Sequence, residues 1–223
     1  MGDPRAIARK LASDAVAAGK PLEWFEQLYA AAESDGACIP WADHATNPNL
    51  IELFGKTRHF LSGTRALNVG CGLGDDAEWL AAQGLDVTAF DISPSAIKAC
   101  LRRFPASRVN YQVADLFDAP SEWQGTFDLV QESYTLQVHP PSLREEAIEK
   151  ICSTVAPQGI IMFVARARDE ADAPGAMPWP LTKQEARSFM KHGFEELFFQ
   201  DYQDRETPPV RRFQGCFRRQ SEV

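Results

Sequence analysis

The sequence predicts an α/β fold: a doubly wound, seven-stranded, mostly parallel sheet with a C-terminal antiparallel strand pair and an N-terminal helical lid. Three observations predict it. From residue 65 onward, short apolar runs alternate with segments of helical period. The first run, Leu67-Asn68-Val69, feeds straight into Gly70, Gly72 and Gly74, which reads as strand, tight turn and helix N-terminus. After Gly193 the rhythm changes to two strand-like runs joined through Pro208-Pro209.

The elements follow in order. Asp3 as N-cap and Pro4 at the first helical position open a helix over 4–18, stopped by Gly19. A second helix covers 21–33, with Leu22, Phe25, Leu28 and Tyr29 on one face, read as a packing face. The stretch SDGACIPWADHATNPNL is a loop carrying Trp41, Asp43 and His44, and 49–61 is a third helix. The core then runs as strand 65–70, helix 75–83 ended by Gly84, and strand 85–91. Ser93-Pro94 caps and opens a helix to about residue 104. Strands at 108–114 and 126–131 follow, then a helix from Pro141 through 155 and a fifth strand after Gly159. Thr182-x-x-Glu185 is a capping box that opens a last helix, stopped by Gly193. The final strands cover about 194–202 and 210–218, added as a pair at the end of the sheet.

At 223 residues the chain suits one domain, divided as a lid or extension over 1–62 and a core over 63–223. A net charge of −8 argues against nucleic-acid and membrane partners. It favours a small-molecule substrate, with a mild bias toward a neutral or cationic ligand. The five cysteines (Cys38, Cys71, Cys100, Cys152 and Cys216) form no CxxC pair. They read as small buried hydrophobes in a reducing, cytoplasmic setting, with no metal site. The N-terminus carries no signal-peptide apolar region, and no apolar run is long enough for a membrane span. A monomer or homodimer is expected.

The glycine turn sits where open α/β sheets hold their ligands. A dinucleotide fingerprint, G-x-G-x-x-G, would need glycine where this chain has Asp75. An acid at the helix start repels a pyrophosphate, although Asp75 itself reads as an N-cap. Asp91, at the end of the second strand, can accept two hydrogen bonds from a ribose diol. Asp115 can accept from an adenine amino group, flanked by Leu116 and Phe117.

Taken in sequence, N-V-G-C-G-L-G-D-D, F-D-I-S, V-A-D-L-F and T-F-D-L-V resemble the class I S-adenosylmethionine-dependent methyltransferases, a Rossmann-like family. The resemblance spans roughly 64–165. It implies S-adenosyl-L-methionine as cofactor, with Gly70, Gly72 and Gly74 along its methionine part and Cys71 contributing backbone. It places Asp91, beside Ile92, at the ribose and Asp115 at the adenine. Gln131 or Glu132 would lie under the sulfonium, and Asp76 would meet the ammonium or solvent. The segment I-P-W-A-D-H-x-x-N-P-N-L resembles the small-molecule branch that includes thiopurine, thiol or halide and tellurite-resistance methyltransferases. There Trp41 would close over the cofactor.

The expected activity is methyl transfer to a small-molecule acceptor, possibly a thiol or other soft nucleophile. Asp43, His44 and Tyr134 are the catalytic candidates, with Glu132 and His139 also weighed as bases; His139 reads as a loop or capping histidine. Two alternatives are a nicotinamide-dependent oxidoreductase and a non-catalytic module that binds S-adenosylmethionine. The absence of a D/N-P-P-Y/F tetrapeptide after the fourth strand disfavours base methylation.

Overall fold

A computed structural model describes residues 3–35 and 39–221, so Cys38 lies outside the described residues. Three helices come first: α1 (Pro4–Ala17), α2 (Glu23–Asp35) and α3 (Pro48–Thr57). Asp3 caps α1 by accepting the Arg5 N–H, and Asn47 caps α3 by accepting the Asn49 N–H, each at 3.0 Å. The core elements are β1 (Arg65–Val69), α4 (Asp75–Ala82), β2 (Asp86–Asp91), α5 (Pro94–Arg103) and β3 (Asn110–Val113). They continue as β4 (Phe127–Ser133), α6 (Pro141–Thr154), β5 (Val155–Arg166), α7 (Lys183–Ala186), β6 (Phe194–Gln203) and β7 (Arg211–Arg219).

The seven strands lie in the order β3-β2-β1-β4-β5-β7-β6. The first five are parallel, and β7 runs antiparallel between β5 and β6. The final pair is added at the end of the sheet as expected, with the last strand of the chain against β5 and β6 at the edge. The strand order reverses between β1 and β4, which puts the ligand crevice at their C-terminal ends.

The strand β5 shows why the sheet holds. Ile160, Met162 and Val164 face one apolar layer with Leu53, Phe54 and Leu80, while Ile161, Phe163 and Ala165 face the other with Ile148, Phe189 and Phe213. Each large apolar side chain buried this way contributes about 1.5–3 kcal/mol. The helix α3, placed in the lid by sequence, belongs to the first of these layers. The helices α1 and α2 form a separate small core, through Ala8, Ala12, Trp24 and Leu28, joined to the body at Ala96 and Met177.

Three elements differ from their sequence reading. The strand β5 begins at Val155, straight out of α6, and passes through an irregularity where Gln158 has φ 64°. The helix expected up to Gly193 is one α turn followed by a 3-10 stretch over Ser188–His192. The helix expected to 61 likewise ends in a 3-10 turn, Arg58–Phe60. The capping box at Thr182 and Glu185 forms as read.

Candidate active site

The turn after β1 is built from three glycines in left-handed backbone, with φ of 60° at Gly70, 55° at Gly72 and 87° at Gly74. Gly72 donates its N–H to Asp91 Oδ2 at 3.0 Å, and Ser93 donates to Oδ1 at 2.9 Å. Asp91 is thus both the last residue of β2 and the anchor of the turn. Its burial pushes the carboxyl from 3.8 up to about 6, against these backbone hydrogen bonds. Each oxygen keeps acceptor capacity beyond its one backbone donor.

The acid pair after the turn behaves differently from its sequence reading. Asp75 is not the N-cap: Gly74 holds that position with no side-chain bond. Asp75 instead makes a two-pronged pair with Arg103, at 2.7 and 2.8 Å. Its charge is therefore compensated, and it does not by itself repel a pyrophosphate. Asp76 accepts the Asn47 N–H at 2.8 Å, tying the segment before α3 to the start of α4. Burial raises its pKa to about 6.

The N-terminal helices cover this turn through specific bonds. Glu26 of α2 accepts from Ser93 Oγ at 2.5 Å, from the Ser95 N–H at 3.1 Å and from Ser95 Oγ at 2.8 Å. A carboxylate at the N-terminus of α5 also meets the positive end of the helix dipole. The Trp41 indole N–H donates to the Tyr29 hydroxyl at 3.1 Å. Burial raises the Tyr29 pKa well above its usual value, and the Asp91 charge adds to that rise. Tyr29, which reads as a packing residue in the sequence, lies at the cavity wall.

At the end of β4, Glu132 is fully buried, and its Oε1 accepts the Thr135 and Leu136 N–H groups at 2.6 and 2.9 Å. Its Oε2 is buried without a partner, and burial lifts the pKa from 4.5 to about 7. Gln131 is also buried and bonds to Ser133 Oγ and Asn68. His139 holds Thr135 O through Nδ1 at 2.9 Å. A carbonyl can only accept, so Nδ1 carries the proton and Nε2 keeps a lone pair. Burial lowers the His139 pKa to about 4, so the ring is neutral near pH 7.

These elements enclose a cavity of about 1210 Å³, above the usual range of roughly 300–1,000 Å³ for one small ligand. Trp41, Asp43, Gly70, Cys71, Gly72, Asp76, Asp91, Ile92, Asp115, Leu116 and Tyr134 all line it. Five expected residues do not. Gly74 faces Tyr111, whose hydroxyl would lie 2.5 Å from an added Cβ. Phe117 packs edge-on to His139 at 5.5 Å. Gln131 and Glu132 sit beneath the floor, where the half-buried Ser133 and Thr135 line the cavity. His44 is exposed, with φ 52°, and lines a separate smaller recess.

Tyr134 lines the cavity, but its hydroxyl is taken by Asn49 Nδ2 at 3.0 Å and Asn47 Oδ1 at 3.4 Å. That geometry ties β4 to α3 and, with the phenol pKa raised by burial, leaves no base there. Asp115 accepts the Phe117 N–H at 2.9 Å and still faces the cavity. Sequence reasoning passed over Glu26, Arg166 and Arg212. Only the register and packing bring them to the site.

A family model described as Thiopurine S-methyltransferase (TPMT) matches residues 32–223. A ubiquinone biosynthesis O-methyltransferase of Xanthomonas euvesicatoria pv. vesicatoria is 35% identical over 135 residues, 60% of this chain and 54% of that protein. The match thus spans about half the length of that relative. The 1,6-didemethyltoxoflavin-N1-methyltransferase of Burkholderia thailandensis, solved with S-adenosylhomocysteine, superposes with a TM-score of 0.67. It is 18% identical, with 99% of this chain and 92% of that one covered. The N-methyltransferase NodS of Bradyrhizobium japonicum, also with S-adenosylhomocysteine, gives a TM-score of 0.64 at 19% identity, covering 86% and 98%. The two structures share the fold, and the sequence match assigns the chain. It belongs to the thiopurine S-methyltransferase family of class I S-adenosylmethionine-dependent methyltransferases.

Proposed function

We propose that this chain transfers a methyl group from S-adenosylmethionine to a small-molecule acceptor. The observation that carries the reading is the Gly70–Gly72 turn locked to a buried Asp91 at the switch point of the sheet, beside a cavity with room for cofactor and acceptor together. The residues fit the cofactor. Asp91 retains acceptor capacity for two ribose hydroxyls, and Asp115 with Leu116 offers an acceptor and an apolar wall to an adenine. The backbone of Gly70 to Gly72 can approach the methionine part closely. Trp41 and Tyr29, bonded to each other, would close the wall above it.

When bound, the cofactor supplies a methyl on a sulfonium that is already an activated leaving group. The protein's own residues therefore need mainly to position the acceptor and exclude water. The His139 Nε2 lone pair can accept a hydrogen bond from the acceptor's reacting N–H, O–H or S–H. With a pKa of about 4 it orients that group more than it deprotonates it. A thiol acceptor, the softest option, needs only partial ionisation. The acceptor in the name of the Burkholderia relative, 1,6-didemethyltoxoflavin, is a small molecule, which supports this reading.

Calorimetric titration with S-adenosylhomocysteine, and with NAD in a parallel cell, tests the reading. Micromolar binding of the first and none of the second is expected. Binding of NAD alone would replace the methyltransferase reading with the oxidoreductase one.

A further inference from the structure

Strand register builds a second feature at the far end of the cavity. Arg166 on β5 stands opposite Arg212 on β7, and Arg212 stands opposite Tyr202 on β6. All three line the cavity. Two like charges directly opposite on neighbouring strands weaken the pairing unless something compensates them. Arg212 is compensated. Asp204 and Glu206 both accept from it, and its guanidinium lies 4.7 Å from the centre of the Tyr134 ring. Asp204 is held in place by the N–H groups of Glu206 and Val210, at 3.0 and 2.8 Å.

The Arg166 side chain has no direct partner among the described residues, and the nearby Glu206 charge acts in its favour. Its backbone N–H donates to Gln137 Oε1 at 2.7 Å, but among the described residues its guanidinium makes no hydrogen bond and no ion pair. Arg5 of α1 lines the same end, also with no side-chain partner among the described residues. Arg5, Arg166, Arg205 and Arg212 thus line the cavity beside Asp204 and Glu206, and both carboxylates are already bound to Arg212. Burial and the neighbouring Arg212 both act to lower the Arg166 pKa, and the Glu206 charge offsets them only in part. An unpaired, half-buried guanidinium on a rigid strand is a costly feature unless an anion visits it.

We propose that Arg166 recognises a carboxylate on the methyl acceptor, with Arg5 as a second cation, so that the acceptor is an organic anion. The inference rests on the methyl-transfer reading above and names its substrate class. The planar guanidinium fork matches a carboxylate with two parallel hydrogen bonds. Phe25, Tyr202 and Pro178 offer the acceptor's body an apolar surround. The local charge here is opposite to that of the whole chain, whose net −8 suggested a neutral or cationic ligand.

The test compares benzoate with benzamide, its neutral counterpart of the same shape, titrated into protein saturated with S-adenosylhomocysteine. Benzoate should bind at least tenfold tighter. Arg166→Met should remove the preference, Arg166→Lys should keep part of it, and both variants should bind S-adenosylhomocysteine as the parent does. Equal binding of the two probes, no binding of either, or a preference that survives Arg166→Met would overturn the proposal. So would a fall of more than a few degrees in the Tm of Arg166→Met, because it would reveal a contact that the guanidinium holds. If S-adenosylhomocysteine itself fails to bind, the cofactor reading fails, and benzoate titrated into the free protein still reads Arg166.

Discussion

Replacing Asp91 with asparagine separates cofactor recognition from the stability of the turn. The change keeps the shape, removes the charge and turns one carboxylate oxygen into an amide nitrogen. That nitrogen must face the N–H of either Gly72 or Ser93, since the two oxygens now accept one each. Losing one such bond costs about 1–3 kcal/mol. Against this, burial has lifted the Asp91 pKa from 3.8 to about 6, so ionising it at neutral pH costs on the order of 3 kcal/mol at about 1.36 kcal/mol per unit. Asparagine removes that cost, and the two effects nearly cancel. The Tm of Asp91→Asn should stay within a few degrees of the parent. Cofactor affinity should not survive as well. Hydrogen bonds to a charged group are worth about 1.5–3 kcal/mol each, so losing the charge and one ribose acceptor should weaken S-adenosylhomocysteine binding roughly 30- to 100-fold. Calorimetric titration beside a thermal melt reads both quantities. An affinity within threefold of the parent would refute the ribose assignment. Asp91→Ala is the poorer variant: it also sheds the ionisation cost but orphans both buried N–H groups, at about 1–3 kcal/mol each, so it should be less stable than Asp91→Asn.

Glu132→Gln should change how stability varies with pH. Burial raises the folded pKa of Glu132 from 4.5 to about 7, so its contribution is full below pH 4.5 and lost as pH rises through 7. Arg144, the charge that acts on it, moderates the rise. The stability difference between parent and variant, measured by urea denaturation, should move by about 2 kcal/mol in the variant's favour between pH 5 and pH 8.5. A constant difference would mean that the carboxyl is not buried as described. The opposite contribution of His139, whose pKa falls from 6.5 to about 4, is common to both proteins and cancels. Gly74→Ala should cost more than about 2 kcal/mol, since it combines left-handed backbone with a Cβ placed 2.5 Å from the Tyr111 hydroxyl. Gly125→Ala, with φ 59° and open space around it, should cost only about 1 kcal/mol, and equal melting shifts for the two would contradict the steric argument. Trp41→Ala should lower turnover more than Tm, because the ring is 38% exposed and held by one bond to Tyr29 and an edge-on contact with Trp24. A large Tm loss with unchanged kinetics would make Trp41 a packing residue.

Much of the fold is legible in the sequence because its signals are local. Proline and a polar cap at Asp3-Pro4 and Ser93-Pro94 set helix starts within one turn of chain. The apolar run of β5 is buried on both faces, and its composition shows that directly. The cofactor end of the site is legible for the same reason. Gly70, Gly72 and Asp91 lie at or just after the ends of consecutive strands at fixed spacing, and the positive φ at Gly70 and Gly72 favours glycine there.

The sequence by itself determined the alternation of strands and helices, the glycine turn and the acids that follow it, all set by backbone sterics and hydrophobic period over a few residues. Only the tertiary structure decided where charge and hydrogen-bonding capacity were spent. It paired Asp75 with Arg103, buried Glu132 beneath the floor, turned His44 away from the cavity and used the Tyr134 hydroxyl to hold α3. It also set Arg166 opposite Arg212 by inserting β7 between β5 and β6. Those outcomes depend on residues tens of positions apart meeting in space. A side chain's charge is visible in the sequence, but whether a partner neutralises it is settled only by packing.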